Sequence, residues 1–212
     1  IEYLPQYAAA QFDKVEQIKN EKSTIDLMFA GNIGAAQSLE TVLKAAELLR
    51  KESNLRWHIV GDGSELNNLK KMAKEKDLSN VIFYGRKPPE EMPQYYAMAD
   101  AMLVTLTADR FISLTLPGKV QTYMAAGKPI IGAAVGEISN VIAAAKCGYC
   151  ANAEDAKGLA QAVLNFIANE DREQLGENSR AYYERHFTRN MFMNKLEREL
   201  FASAEQGKEI KA

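Results

Sequence analysis

The strongest constraint in this chain is an alternation: short apolar runs that end on glycine are each followed by a segment whose apolar residues recur at helical spacing. Asp26 to Gly31 is such a run, and Leu39, Val42, Leu43, Ala46 and Leu49 then mark one helix face. Leu55 to Val60 closes on Gly61-Asp62-Gly63, followed by Leu66, Leu69 and Ala73 at helical spacing. Val81 to Tyr84 closes on Gly85, and Pro88-Pro89-Glu90-Glu91 opens a helix with Pro89 in its first turn. Ala101 to Leu106 leads through a loop over Thr107 to Thr115 into a helix that begins Pro117-Gly118-Lys119 and ends at Gly127. Pro129 to Ala134 reads as a fifth strand, Glu137 to Ala145 as a helix and Tyr149 to Ala151 as a short sixth strand. Leu159, Val163, Phe166 and Ile167 mark a further helix. Strands that alternate with helices predict an α/β fold, a Rossmann-like doubly wound parallel sheet of about six strands with helices on both faces. Strand signals stop after Asp171. Two C-terminal helices are expected, Leu175 to Phe187 and Met191 to Phe201, the second with Phe192, Leu196 and Leu200 on one stripe. The polar tail from Gln206 to Ala212 is expected to fray.

With 212 residues, 47% of them hydrophobic, the chain can bury a full core as one domain. Its formal charge of −2 comes from interspersed acids and bases, which gives no basic footprint for nucleic acid. No apolar run approaches the roughly 18 residues of a membrane span, so a cytoplasmic location is expected. Cys147-Gly148-Tyr149-Cys150 has a redox-like spacing, but His58 and His186 lie at no metal-ligand spacing from it. The pair reads as structural, flanking a turn at Gly148. Residues 1–22 fit badly with the sheet that begins near Asp26, and Tyr3-Leu4-Pro5-Gln6-Tyr7 reads as an extended, proline-fixed connector.

In an open parallel sheet the ligand crevice lies beyond the carboxyl ends of the strands. The glycine-containing exits Gly31-Asn32-Ile33-Gly34, Gly61-Asp62-Gly63 and Gly85-Arg86-Lys87, with Pro117-Gly118-Lys119, are therefore expected to face one cleft. The first lacks the third glycine of a dinucleotide fingerprint, and no Walker-type loop is present. Lys119 falls in the first turn of its helix, where a cation is mildly unfavourable for the helix but free N–H groups favour an anion. It is either a solvated first-turn residue or a charge for a phosphate. Arg86 and Lys87 are either an exposed basic loop or the lip of a site for a base or phosphate, and Asp62 is either a turn residue or a polar ligand contact. No Asp-x-Asp pair occurs to hold a metal bound to a diphosphate, so lysine, backbone amides and a helix terminus would have to neutralise one.

Taken in order, "FAGNIGAAQSLETVLKAAELL", "WHIVGDGSELNNLKKMA", "VIFYGRKPPEEMPQYYAMADAMLV", "PGKVQTYMAAGKPII" and "CGYCANAEDAKGLAQAV" resemble the sugar-nucleotide-binding C-terminal half of GT-B glycosyltransferases. The resemblance is to retaining family 4, and within it to the branch that builds bacterial cell-surface polysaccharides, N-acetylfucosamine transferases included. It implies a nucleotide-sugar-binding domain over residues 23–212, with residues 1–22 the remnant of a connector to an acceptor-binding N-terminal domain. It implies a nucleotide-sugar substrate, UDP-linked, with no cofactor and no metal. Any membrane association, at the inner face of the plasma membrane, would run through the missing half. By the resemblance the base lies against Gly85, Arg86 and Lys87, the ribose near Gln121 or Thr122, and the diphosphate near Lys119 and the amides that open its helix after Pro117. Gly31, Asn32 and Gly34 approach from the first exit, and Gly61, Asp62 and Gly63 from the second.

The sequence departs from that family in two places. Many members carry paired glutamates eight residues apart, and here those positions fall on Leu114 and Thr122 or, shifted by one, on Ser113 and Gln121. Many also carry an arginine just after the first strand's glycine and a lysine soon after, where this chain has Asn32 and Ala36 or Gln37. Lys119, the expected catalytic group, would have to take over that charge. A non-catalytic module of the same fold and a sugar-nucleotide epimerase are the rival readings, though the strand exits carry little of the carboxylate or histidine chemistry an epimerase needs.

Overall fold

The computed structural model describes residues 4–13, 15 and 23–209. Six parallel strands form one sheet: β1 (Ile25–Ala30), β2 (Leu55–Val60), β3 (Val81–Gly85), β4 (Ala101–Thr105), β5 (Ile130–Ala133) and β6 (Gly148–Ala151). Their order is β3-β2-β1-β4-β5-β6, so the winding reverses between β1 and β4. The helices are α1 (Leu39–Leu48), α2 (Leu66–Glu75), α3 (Met92–Met98), α4 (Gly118–Ala125), α5 (Glu137–Ala145), α6 (Ala156–Ala168), α7 (Arg172–His186) and α8 (Arg189–Glu209).

Alternation along each strand gives the sheet two apolar faces. Leu27, Phe29, Trp57, Ile59 and Leu103 pack with α1, α2 and α6 on one face, and Met28, Ala30, Val60, Met102 and Val104 pack with α3, α4, α5 and α7 on the other. The expected doubly wound layers are present.

Several local expectations need correction. The segment at Pro89 is a single 3-10 turn (Pro89–Glu91) with α3 starting afterwards, because Pro93 has no N–H to give to the Pro89 carbonyl. The Pro89 carbonyl accepts the Met92 N–H of that turn and, at 2.7 Å, a second bond from Gln11 Nε2. Gly148 is not in a turn but opens β6, where a Cβ would come within 1.8 Å of the Ile130 carbonyl oxygen. Cys147 and Cys150 are free thiols, and burial pushes the Cys147 pKa up to about 12, far from a reactive thiolate. Helix α8 continues through Glu209, so Gln206 to Glu209 is helical, while 210–212 lie outside the described residues. Leu200 on its apolar stripe is 62% exposed and does not enter the core.

Of the N-terminal stretch, residues 4–13 and 15 are described, and they add no strand to the sheet. Ala8 and Phe12 are buried in the second core, Phe12 against Tyr96 with ring centroids 4.9 Å apart. Residues 1–3, 14 and 16–22, on which the rest of the connector expectation falls, lie outside the described residues.

Candidate functional site

Strands β1 and β2 match over six residue pairs, Ile25↔Leu55 to Ala30↔Val60, but β1 and β4 match only at Leu27↔Ala101 and Met28↔Met102. Beyond that point the sheet splays. The buried Tyr123 hydroxyl of α4 takes the place of the missing ladder at the end of β1, accepting from Ala30 N at 3.1 Å and donating to Ala30 O at 2.9 Å. Helix α4 thus starts beside the crevice that opens where the winding reverses, the position favoured for ligands in such sheets.

The exits of β1, β2 and β3 are tied together by main chain. Gly31 N donates to Val60 O, Ile33 N to Asp62 O and Gly61 N to Gly85 O, at 3.0, 2.8 and 2.9 Å. Only glycine fits here: a Cβ on Gly61 would stand 1.9 Å from Gly31 O, and one on Gly63 would stand 2.3 Å from Ile33 O, both at positive φ. The result is a pocket of about 480 Å³ walled by Gly31, Asn32, Gly61, Asp62, Arg86 and Lys87, with Met92 and Tyr96 of α3 behind them. Asp62 is also a turn residue, its carboxylate accepting from Gly63 N at 2.8 Å. The Lys87 ammonium lies 5.6 Å over the Tyr95 ring, and its hydrogen bond to that phenol raises its pKa. A larger hollow of about 850 Å³ lies at the other end of the sheet, by Ile25, Asp100 and Pro129, away from the strands' carboxyl ends.

Lys119 is not a solvated first-turn residue. Its side chain turns inward across the top of the sheet, where Nζ donates to Gln37 Oε1 and stands 4.1 Å over the Phe29 ring. The space it uses is the space Gly31 leaves, since a Cβ there would meet Nζ at 3.3 Å. Burial lowers the Lys119 pKa from 10.5 to about 7. Pro117 is the N-cap of α4 and Gly118 its first residue, with Gln6 Oε1 3.4 Å from where a Gly118 Cβ would be. Gly34 precedes the 3-10 turn Ala35–Gln37. Gly63 and Gly85 stand just behind the pocket wall.

Of the expected residues, Gly34, Gly63, Gly85, Pro117, Gly118, Lys119, Gln121 and Thr122 do not line that pocket. Gln121 is 1% exposed, and neither its Oε1 nor its Nε2 has a hydrogen-bond partner among the described residues. Thr122 Oγ1 donates back to Gly118 O at 2.9 Å within its own helix. Conversely, Phe29, Tyr96 and Tyr123 shape the site without standing out in the sequence, and Gln37, noted there only as a departure from the family pattern, is the acceptor for Lys119. His58 is satisfied structurally, Nε2 with Asp26 Oδ1 and Nδ1 with the Tyr84 hydroxyl, each at 2.8 Å. Among the described residues no three His, Cys, Asp or Glu side chains are grouped to hold a metal ion.

Over 170 residues the chain is 30% identical to a probable glycosyltransferase, WbjE, of Pseudomonas aeruginosa, covering 79% of this chain and 42% of that protein. The chain thus spans less than half the length of that relative. A crystal structure of the pneumococcal O-GlcNAc transferase GtfA in complex with UDP and GlcNAc superposes with a TM-score of 0.72 at 15% identity, covering 93% of this chain and 38% of that one. The crystallised C-terminal domain of a group 1 glycosyl transferase, LpcC of Francisella tularensis, superposes with a TM-score of 0.66 at 18% identity, covering 86% of this chain and 96% of that one. These two likenesses show a shared fold. Residues 11–182 match the sequence model of one family, and on that match the chain belongs to the glycosyl transferases group 1 family.

Proposed function

We propose that this chain is the donor-binding half of a retaining, metal-independent glycosyltransferase of family 4, taking a sugar from a nucleotide diphosphate, UDP in the first instance. The acceptor is a glycan or lipid-linked glycan of a bacterial surface polysaccharide. The observation that carries the reading is Lys119. Its ammonium has three donors, a single neutral acceptor in Gln37 and an aromatic face beneath, and it overlooks the crevice at Gly31. A half-buried cation so poorly satisfied favours an anion beside it. A diphosphate would supply the missing oxygens and, as the glycosidic bond breaks, would be stabilised as leaving group by the same charge.

In this reading Arg86, Lys87 and Gly85 hold the base, while Gly31, Asn32, Gly34, Gly61, Asp62 and Gly63 bring main chain and short polar groups to the diphosphate and sugar. Gly118 and the first amides of α4 complement Lys119, and the ribose falls to the half-buried Thr122 or, after rearrangement, to Gln121. The family match, the fold shared with a transferase crystallised with UDP, and the position of the pocket support this assignment. The acceptor side would come from a second domain, with residues 1–22 as the connector, and closure between the two would position the acceptor. That assembly would work in the cytoplasm, at the inner face of the plasma membrane.

Isothermal titration with UDP tests the reading: the intact 212-residue chain binds, and Lys119→Ala removes most of the affinity. An intact chain that does not bind UDP supports the non-catalytic module instead. Robust sugar transfer by the chain alone would sink the claim that half of the active site lies elsewhere.

A further inference from the structure

Lys119 sits at the second position of α4, where a long cationic side chain ordinarily extends into water and the helix end repels positive charge. Here it points inward, with its ammonium donating to Gln37 Oε1. Gln37 is itself anchored through both of its backbone polar groups. Its N–H donates to Gly34 O at 3.0 Å, and its carbonyl accepts from the buried Thr105 hydroxyl of β4 at 2.5 Å. Ser38 follows in the left-handed conformation, with φ 46, and turns the chain into α1. The Gln37 side chain is therefore a fixed acceptor, spanning 82 residues of sequence to reach Lys119.

The chemistry of that acceptor matters. A carboxylate at this position would neutralise the ammonium and make an ordinary structural ion pair. A neutral amide oxygen fixes the direction of the side chain and leaves its charge uncompensated. Two of the three ammonium donors then have no protein acceptor among the described residues, and the Phe29 ring shields the underside from water.

We infer that Gln37 is a positioning residue for the donor: it parks Lys119 above the Gly31 crevice with its charge uncompensated, so that two diphosphate oxygens complete the ammonium's hydrogen bonding. This rests on the donor-site reading above. It also makes donor binding proton-coupled, since the lysine must be charged when the diphosphate arrives, and above about pH 7 it has to take up a proton to become so.

Titration of the full chain with UDP between about pH 7.5 and 8.5, above the ionisation of the terminal phosphate and below that of the uracil ring, tests the inference, with uridine as the phosphate-free control. The native chain should lose up to about tenfold in UDP affinity per pH unit. Gln37→Glu should bind UDP at least about tenfold more weakly at pH 7.5 and lose the pH slope, because its carboxylate keeps the lysine charged and occupied. Gln37→Leu should weaken UDP binding and lose the slope as well, because the freed lysine returns to water. Uridine binding should be unchanged in both. Native affinity and native pH slope in both variants would overturn the positioning role while leaving the donor site standing. Failure of the native chain to bind UDP, or undiminished binding by Lys119→Met, would overturn the donor-site reading and this inference with it.

Discussion

On one side of the crevice Gly31, Ile33, Gly61 and Gly63 are locked main chain to main chain, with no room for even a methyl group at Gly61 or Gly63. On the other, Lys119 crosses the gap on a flexible stem and is held by one neutral acceptor. The first side is a shape that the backbone makes once and cannot relax; the second is a charge that a side chain delivers and could withdraw. A diphosphate site needs both, because close approach comes from glycine and neutralisation comes from a cation. The division also means that the two sides fail differently. Damage to the backbone side should appear as lost stability, and damage to the side-chain side as lost binding, with stability unchanged or gained.

The largest expected effect is Gly61→Ala. A Cβ 1.9 Å from Gly31 O at φ 144 forces two strand exits apart, which should cost about 3 kcal/mol or more in urea unfolding. Lys119→Met should move the other way. The unfolded chain keeps its proton up to the ordinary 10.5, whereas the folded protein gives it up near 7. The cost of holding a charge there is thus fully present below pH 7 and vanishes as the pH rises towards 10.5. The variant should be more stable than the native chain by on the order of 2–4 kcal/mol at pH 6, with the gain gone near pH 10. An equal gain at both pH values would show that the charge is not what destabilises the site.

Tyr123→Phe probes the seam between the two sides. Removing the hydroxyl leaves Ala30 N and O without that partner where β1 and β4 diverge, at a cost of about 1–3 kcal/mol in thermal or urea melts. Thr122→Val should change stability by less than about 0.5 kcal/mol, since its hydroxyl returns only to its own helix. A loss of UDP affinity in that variant, with stability intact, would place the ribose at Thr122.

The backbone side of the crevice is legible in the sequence because its requirements are local. A β-run closing on glycine marks the exit, and repeated alternation with amphipathic helices fixes the parallel sheet. The side-chain side is not legible, because Lys119 and Gln37 meet across 82 residues and no periodicity encodes a lysine's rotamer. Gln121 misleads for a related reason. Helix α4 lies between the sheet and α7, so Val120, Gln121, Tyr123, Met124 and Ala125 are all buried, and one polar residue of this short helix falls on a covered flank. Pro93, by contrast, carries its consequence openly. A proline there removes the α-helical donor to the Pro89 carbonyl, but nothing local reveals that Gln11 would join Met92 N–H in bonding it.

That hydrogen bond belongs to a strap. Residues 4–13 touch the start of α4 through Gln6, the turn before α3 through Gln11, the pocket residue Tyr96 through Phe12, and α7 through the Asp13 carboxylate, 3.4 Å from the Arg180 guanidinium. Packing of this density has little slack. Because Phe12 packs on Tyr96 and Tyr96 lines the pocket, the strap forms part of the wall behind the crevice, and Phe12→Ala should be felt there as well as in stability.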